Sequence, residues 1–167
     1  MTLEELSKKI QVIHIRNIPS AKMVKQSEEI CNHQDCGHNT IDMFNVDHTD
    51  KTEPKKLYTL YAYIGRSSSS KTSSVMDNSF SVLCNPFRLE VDNVANRKMV
   101  IDKFREYAYK QMQFKTGFYQ KIQELVKLLK EEQYDVIYLV CFCKPKDCHG
   151  DVVKELVLQE FLKQYNS

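Results

Sequence analysis

The chain has 167 residues, of which 42% are apolar and 28% charged. That composition suits one globular domain and excludes intrinsic disorder. Lys and Arg total 24 against 22 for Asp and Glu, a balance that argues against a dedicated nucleic-acid coat, and no run of about 18 apolar residues offers a membrane span.

At the start of the chain, Thr2 and Glu5 have capping-box spacing and predict a short helix. Gln11 to Arg16 (QVIHIR) alternates as a strand, ended by Asn17 to Pro19. Residues 20 to 56 are polar and irregular and hold three of the five histidines, which predicts an insertion or long loop within a single domain spanning 1–167. Leu57 to Ile64 (LYTLYAYI) is rich in β-formers and reads as a second strand, closed by Gly65-Arg66. Ser67 to Ser74 holds six serines in eight residues and builds no core; it reads as a surface loop or a lid. Phe80 to Phe87 (FSVLCNPF) returns to an apolar pattern. Val100, Phe104, Tyr107, Ala108 and Met112 recur at helical spacing, as do Phe118, Ile122, Leu125, Val126 and Leu129, with Gly117 between the two helices. Val136 to Cys143 (VIYLVCFC) is the continuous run of a fully buried parallel strand. A sharp turn then leads into a last helix carrying Val153, Leu156, Val157 and Phe161. The order predicts an α/β fold with a small, at least partly parallel sheet flanked by helices.

Chemistry concentrates in Cys141-Phe-Cys-Lys-Pro-Lys-Asp-Cys-His-Gly-Asp151, where a strand turns into a helix. Ligands of open α/β sheets bind at the carboxyl ends of strands, and a helix start offers free N–H groups to an anion. Lys144 and Lys146 add positive charge, Gly150 permits close approach of a ligand, and Asp151 suits a cap, a ribose hydroxyl or a base. The plainer alternative is that Asp151 only caps the helix and the cysteines only pack. Cys141, Cys143, Cys148 and His149 also read as metal ligands, although strand cysteines are more often small hydrophobes. A second cluster, Cys31, His33, Cys36 and His38, offers zinc a C-x-H-x2-C-x-H set against the alternative of an exposed loop. Arg66 suits a phosphate or a surface ion pair. Asn85 suits a base or sugar, and Phe87 suits a stack or the core. The dinucleotide, P-loop and nucleophile-elbow motifs are absent.

Together, Tyr63-Ile-Gly-Arg66, Cys84-Asn-Pro-Phe87 and Cys141 to Asp151 resemble a domain-of-unknown-function family of bacteria and their phages. Its hallmarks are Ile-Gly-Arg, Gly-Asn-Pro-Phe and Cys-x-Cys-x-Pro-x-x-Cys-His-Gly-Asp. The resemblance spans residues 57 to 160, with Gln11 to Arg16 as the family's first strand. Cys84 replaces the family's glycine, and residues 20 to 56 look added. The resemblance implies a Rossmann-like domain and a ligand site at Arg66, Asn85, Phe87, Lys144, Cys148, His149 and Asp151, joined by Gly150.

Three functional expectations follow. The first is binding of a nucleotide-type small molecule of the adenine or ADP-ribose class, cyclic signalling nucleotides included, its phosphate on the last helix start. In a phage this would sequester a host defence signal in the host cytoplasm. The second is an enzyme acting at an N-glycosidic bond, a nucleoside hydrolase or deoxyribosyltransferase type, with Asp151 as nucleophile or base and His149 assisting. The third is a zinc-stabilised interaction module around Cys31, His33, Cys36 and His38. Six cysteines and a start that does not read as a secretory signal give the expectation of a reducing, cytoplasmic setting over a disulfide framework. A homo-oligomer with a site at its seam is compatible with all three.

Overall fold

The computed structural model describes residues 3–18, 58–66 and 75–165. The expected insertion, its Cys31, His33, Cys36 and His38 cluster, and the Ser67–Ser74 loop lie outside the described residues. Three strands, β1 (Ile10–His14), β2 (Thr59–Tyr63) and β3 (Val136–Cys141), form a parallel sheet in the order β1-β3-β2. Ile10 stands opposite Ile137 and His14 opposite Cys141 on one side of β3; Thr59 stands opposite Val136 and Tyr63 opposite Val140 on the other. Parallel neighbours need long crossovers. Between β2 and β3 the crossover includes α2 (Val94–Gln113) and α3 (Gly117–Lys130). A short helix, α1 (Leu3–Lys9), runs straight into β1, and α4 (His149–Tyr165) follows β3. The mixed α/β architecture agrees with the sequence pattern.

Alternation along β3 divides the interior. Ile137, Leu139 and Cys141 join Leu6, Phe104, Ile122, Leu125, Val153 and Leu156 in the main core. Removing such a buried side chain, as in Leu125→Ala, costs about 2–5 kcal/mol. Tyr61, Tyr63, Val75, Met76 and Val140 form a smaller cluster on the opposite face. There the Tyr61 and Tyr138 rings stack 5.3 Å apart, and burial, aided by Tyr138, pushes the Tyr61 phenol up to about 12.

The boundaries differ from the sequence expectation for local reasons. β1 stops at His14 because Ile15–Asn17 closes into a 3-10 turn, with His14 Nδ1 accepting from Arg16 N at 2.9 Å. The apolar segment before Asn85 is a 3-10 helix, Asn78–Leu83, started by the Asp77 carboxylate on Ser79 N at 2.8 Å. β3 ends two residues short of Cys143 and is not buried on both faces throughout: Tyr138 is half-buried. The Phe142 ring beyond it is 52% exposed. Between α2 and α3 the left-handed residue is Lys115, at φ 50°, and Gly117 begins α3.

Candidate functional site at the carboxyl edge of the sheet

The start of α4 closes on itself. The Cys148 thiol accepts from Gly150 N at 3.3 Å, and Asp151 Oδ2 accepts from Cys148 N at 3.3 Å. The Cys148 thiol thus caps the second helical N–H, and the Asp151 carboxylate reaches back to the Cys148 N–H as in the return half of a capping box. Lys144 Nζ then pairs with the Asp151 carboxylate at 2.8 Å. Gly150 faces inward: a Cβ there would lie 2.6 Å from Val12 Cγ1 and 3.1 Å from Ile64 Cδ1. Its missing side chain lets α4 sit on the sheet.

A cavity of about 310 Å³ opens beside this cap, at the ends of β2 and β3. Phe87, Leu89, Val100, Ile101 and Phe142 supply its apolar wall, and Arg66, Asn85, Arg97, Cys143, Asp147 and His149 its polar one. Arg66 holds the Asn-Pro-Phe turn: Nε donates to Asn85 O at 2.9 Å and Nη2 to Phe87 O at 2.6 Å. The turn is also tied internally, Asn85 Oδ1 accepting from Phe87 N at 2.9 Å. Tyr63 Oη donates to the Arg66 carbonyl at 2.9 Å. Arg97 is pinned by Asp92 at 2.5 Å and by the Asp147 carbonyl at 3.2 Å. Hydrogen bonds from Lys146 and Arg97 hold the Asp92 carboxyl below its ordinary range.

His149 is buried, with Nε2 3.0 Å from the Ile64 carbonyl and an edge-on contact to Phe104. Beside it, the sulfurs of Cys141, Cys143 and Cys148 lie within 4.8 Å of one another, a grouping able to hold a metal ion. The three thiols share charge unequally. Hydrogen bonds from Cys141, then Cys148 and His149, hold the Cys143 thiol well below its usual range. The bond to Cys143 pushes Cys141 up against a lowering from Cys148, bonds to Cys141 and then Cys143 push Cys148 up, and burial adds to both shifts.

Residues 47–159, about two thirds of the chain, match the profile of DUF4326, a domain of unknown function. The chain belongs to the DUF4326 family. Every residue lining the cavity falls inside the DUF4326 match, as do the three thiols. The match begins within the segment read as an insertion and does not reach Gln11 to Arg16, so β1 lies outside it. No curated protein and no solved structure matches the chain significantly.

Within the DUF4326 segment, the structure brings Arg66, Asn85, Phe87 and His149 together at the cavity. Lys144, Cys148, Gly150 and Asp151 are placed in the helix cap and the core, not in the cavity wall. Arg97, Phe142, Cys143, Asp147 and the apolar side chains of 89, 100 and 101 complete the wall and were not expected there. Phe142 had one signal, its place just beyond a strand end. Arg97 had none, since a lone arginine in a helical pattern resembles any surface cation. No helix among the described residues is long and apolar enough to cross a membrane.

Proposed function

We infer that this protein binds a nucleotide-type small molecule in the cavity between β2, β3, α2 and the α4 start. One observation carries the reading. Two aromatic rings, Phe87 and Phe142, and two guanidinium groups, Arg66 and Arg97, converge on one concave site at the carboxyl edge of a parallel sheet. Such edges are where open α/β sheets take ligands. Rings suit a base, guanidinium groups suit a phosphate, and Asn85 Nδ2 is a donor suited to base or sugar. The volume is at the low end for small-molecule sites, which favours a mononucleotide-sized ligand over a dinucleotide. The phosphate is assigned to the arginines, which line the cavity and each carry five N–H donors, more than their ties to the Asn85, Phe87 and Asp147 carbonyls and Asp92 occupy. It is not assigned to the α4 start, where the single N–H groups of Cys148 and Gly150 are already bonded.

Binding is favoured over N-glycosidic cleavage because Asp151 is engaged by Lys144 and the helix cap, and His149 Nε2 by Ile64. Retention without turnover suits sequestration of a signalling nucleotide, in a phage setting within the host cytoplasm. The test incubates excess protein with adenine mononucleotides, ADP-ribose, NAD and cyclic dinucleotides, removes the protein by filtration, and heats it. A compound depleted from the filtrate and released intact supports binding, and Arg66→Ala should weaken its retention at least tenfold. A new product that vanishes in folded Asp151→Asn replaces binding by catalysis. A panel that passes through untouched overturns both.

A further inference from the structure

The thiol cluster carries an inference independent of the nucleotide reading. We propose that Cys141, Cys143, Cys148 and His149 Nδ1 form a tetrahedral zinc site that ties the end of β3 to the start of α4. Three sulfurs converge from three backbone settings: the last residue of β3, the turn after it, and the residue before α4. A tetrahedral ion with Zn–S bonds of about 2.3 Å separates its sulfurs by about 3.8 Å. All three sulfurs lie within 4.8 Å of one another, and Cys141 and Cys148, 2.7 Å apart, need to part by about 1 Å to share the ion.

The fourth donor is His149, which lies outside the 4.8 Å grouping of the three sulfurs but meets one of them, so its ring moves toward the other two when the ion binds. Ile64 O only accepts, so the His149 Nε2 that meets it at 3.0 Å carries the ring proton, and Nδ1 presents its lone pair. That Nδ1 lies 3.8 Å from Cys148 Sγ, close to the roughly 3.6 Å that sulfur and nitrogen keep on one tetrahedral zinc. A ligating histidine whose other nitrogen is held by a backbone carbonyl is the usual outer-shell arrangement. Soft thiolates with one imidazole select zinc among the common divalent cations. With four protein donors the site is closed and structural. It also backs the cavity, because Cys143 and His149 lie in the cavity wall.

The full-length protein is tested directly. Protein purified without chelator is assayed for metal by elemental analysis, then exchanged to cobalt. The expected result is one zinc per chain and a tetrahedral cobalt spectrum whose sulfur-to-metal charge-transfer intensity corresponds to three thiolates. Alkylation of native protein should spare Cys141, Cys143 and Cys148 until a chelator is added. A cobalt spectrum of two thiolates, or metal that survives Cys143→Ser and is lost in Cys31→Ser/Cys36→Ser, moves the ion to the other cluster and overturns the assignment. Metal-free protein with three alkylatable thiols, or with a Cys141–Cys148 disulfide by peptide mass, overturns it as well. Nucleotide retention measured on the same preparation fails or succeeds separately, so the two readings are distinguishable.

Discussion

His149 and Ile64 are joined by a buried hydrogen bond, ring Nε2 to backbone oxygen at 3.0 Å, that links the first turn of α4 to the residue just past β2. The bond holds the imidazole in one tautomer. Nitrogen-15 NMR of the histidine rings should show the neutral ring of His149 as the Nε2–H tautomer. His149→Ala leaves a buried carbonyl without its donor, and urea unfolding should show a loss of about 1–3 kcal/mol.

Gly150 is the contact point of α4 with the sheet. Gly150→Ala places a Cβ 2.6 Å from Val12 Cγ1, and overpacking of this kind costs about 1–3 kcal/mol. Alanine's better helix propensity offsets at most about 1 kcal/mol. Val12→Ala on its own destabilises by lost burial. Combined with Gly150→Ala it should recover part of the cost, so the double-mutant cycle shows favourable coupling in chemical denaturation.

Arg66 works through its fork, not its charge alone. Its Nε and Nη2 both donate to carbonyls of one turn, a geometry that a lysine ammonium cannot reproduce. Arg66→Lys should therefore weaken nucleotide retention nearly as much as Arg66→Ala, at least tenfold. A lysine variant that retains ligand normally would reduce Arg66 to a simple counter-charge.

Phe142 tests the aromatic wall without disturbing the core. Its ring is half-exposed and meets His14 and Tyr63 edge-on. Phe142→Ala should change unfolding free energy by about 1 kcal/mol or less. Ligand retention should fall severalfold, measured by titration calorimetry with the compound that the panel identifies.

Tyr61 sets an alkaline limit. Its phenol is raised to about 12 by burial first and by Tyr138 second. A folded value above the unfolded one means that the contribution is complete below about pH 10 and is lost as pH climbs toward 12. Ultraviolet titration of tyrosinate should show a late-ionising group that disappears in Tyr61→Phe, and the variant should lose less stability between pH 10 and 12 than the parent.

Much of the fold was legible because its signals are periodic. The five apolar positions of α3 and those of α4 are buried as their spacing predicts, and the runs at Thr59–Tyr63 and Val136–Cys141 are strands. The site was legible only where a local motif marks it, as at Arg66, Asn85, Phe87 and His149. Arg97 reaches the cavity through helix packing that no nearby residue announces. Gly150 carried a true signal, a close approach, but its partner is Val12 and not a ligand. Lys144 and Asp151 are cationic and anionic neighbours across one turn, and they satisfy each other.

The position of β3 has a consequence for how the protein is made. Among the described strands it is last in the chain, yet it alone touches the other two. Strands β1 and β2 therefore leave the ribosome well before their shared partner exists, and such distant pairings form slowly. Until β3 is synthesised these two segments, Ile10–His14 and Thr59–Tyr63, carry unsatisfied edges that invite association with other chains. The cavity waits longer still, since Phe142, Cys143, Asp147 and His149 close it from beyond β3. Truncated products that stop before residue 136 should accordingly be clients for chaperones and proteases, and blind to any ligand.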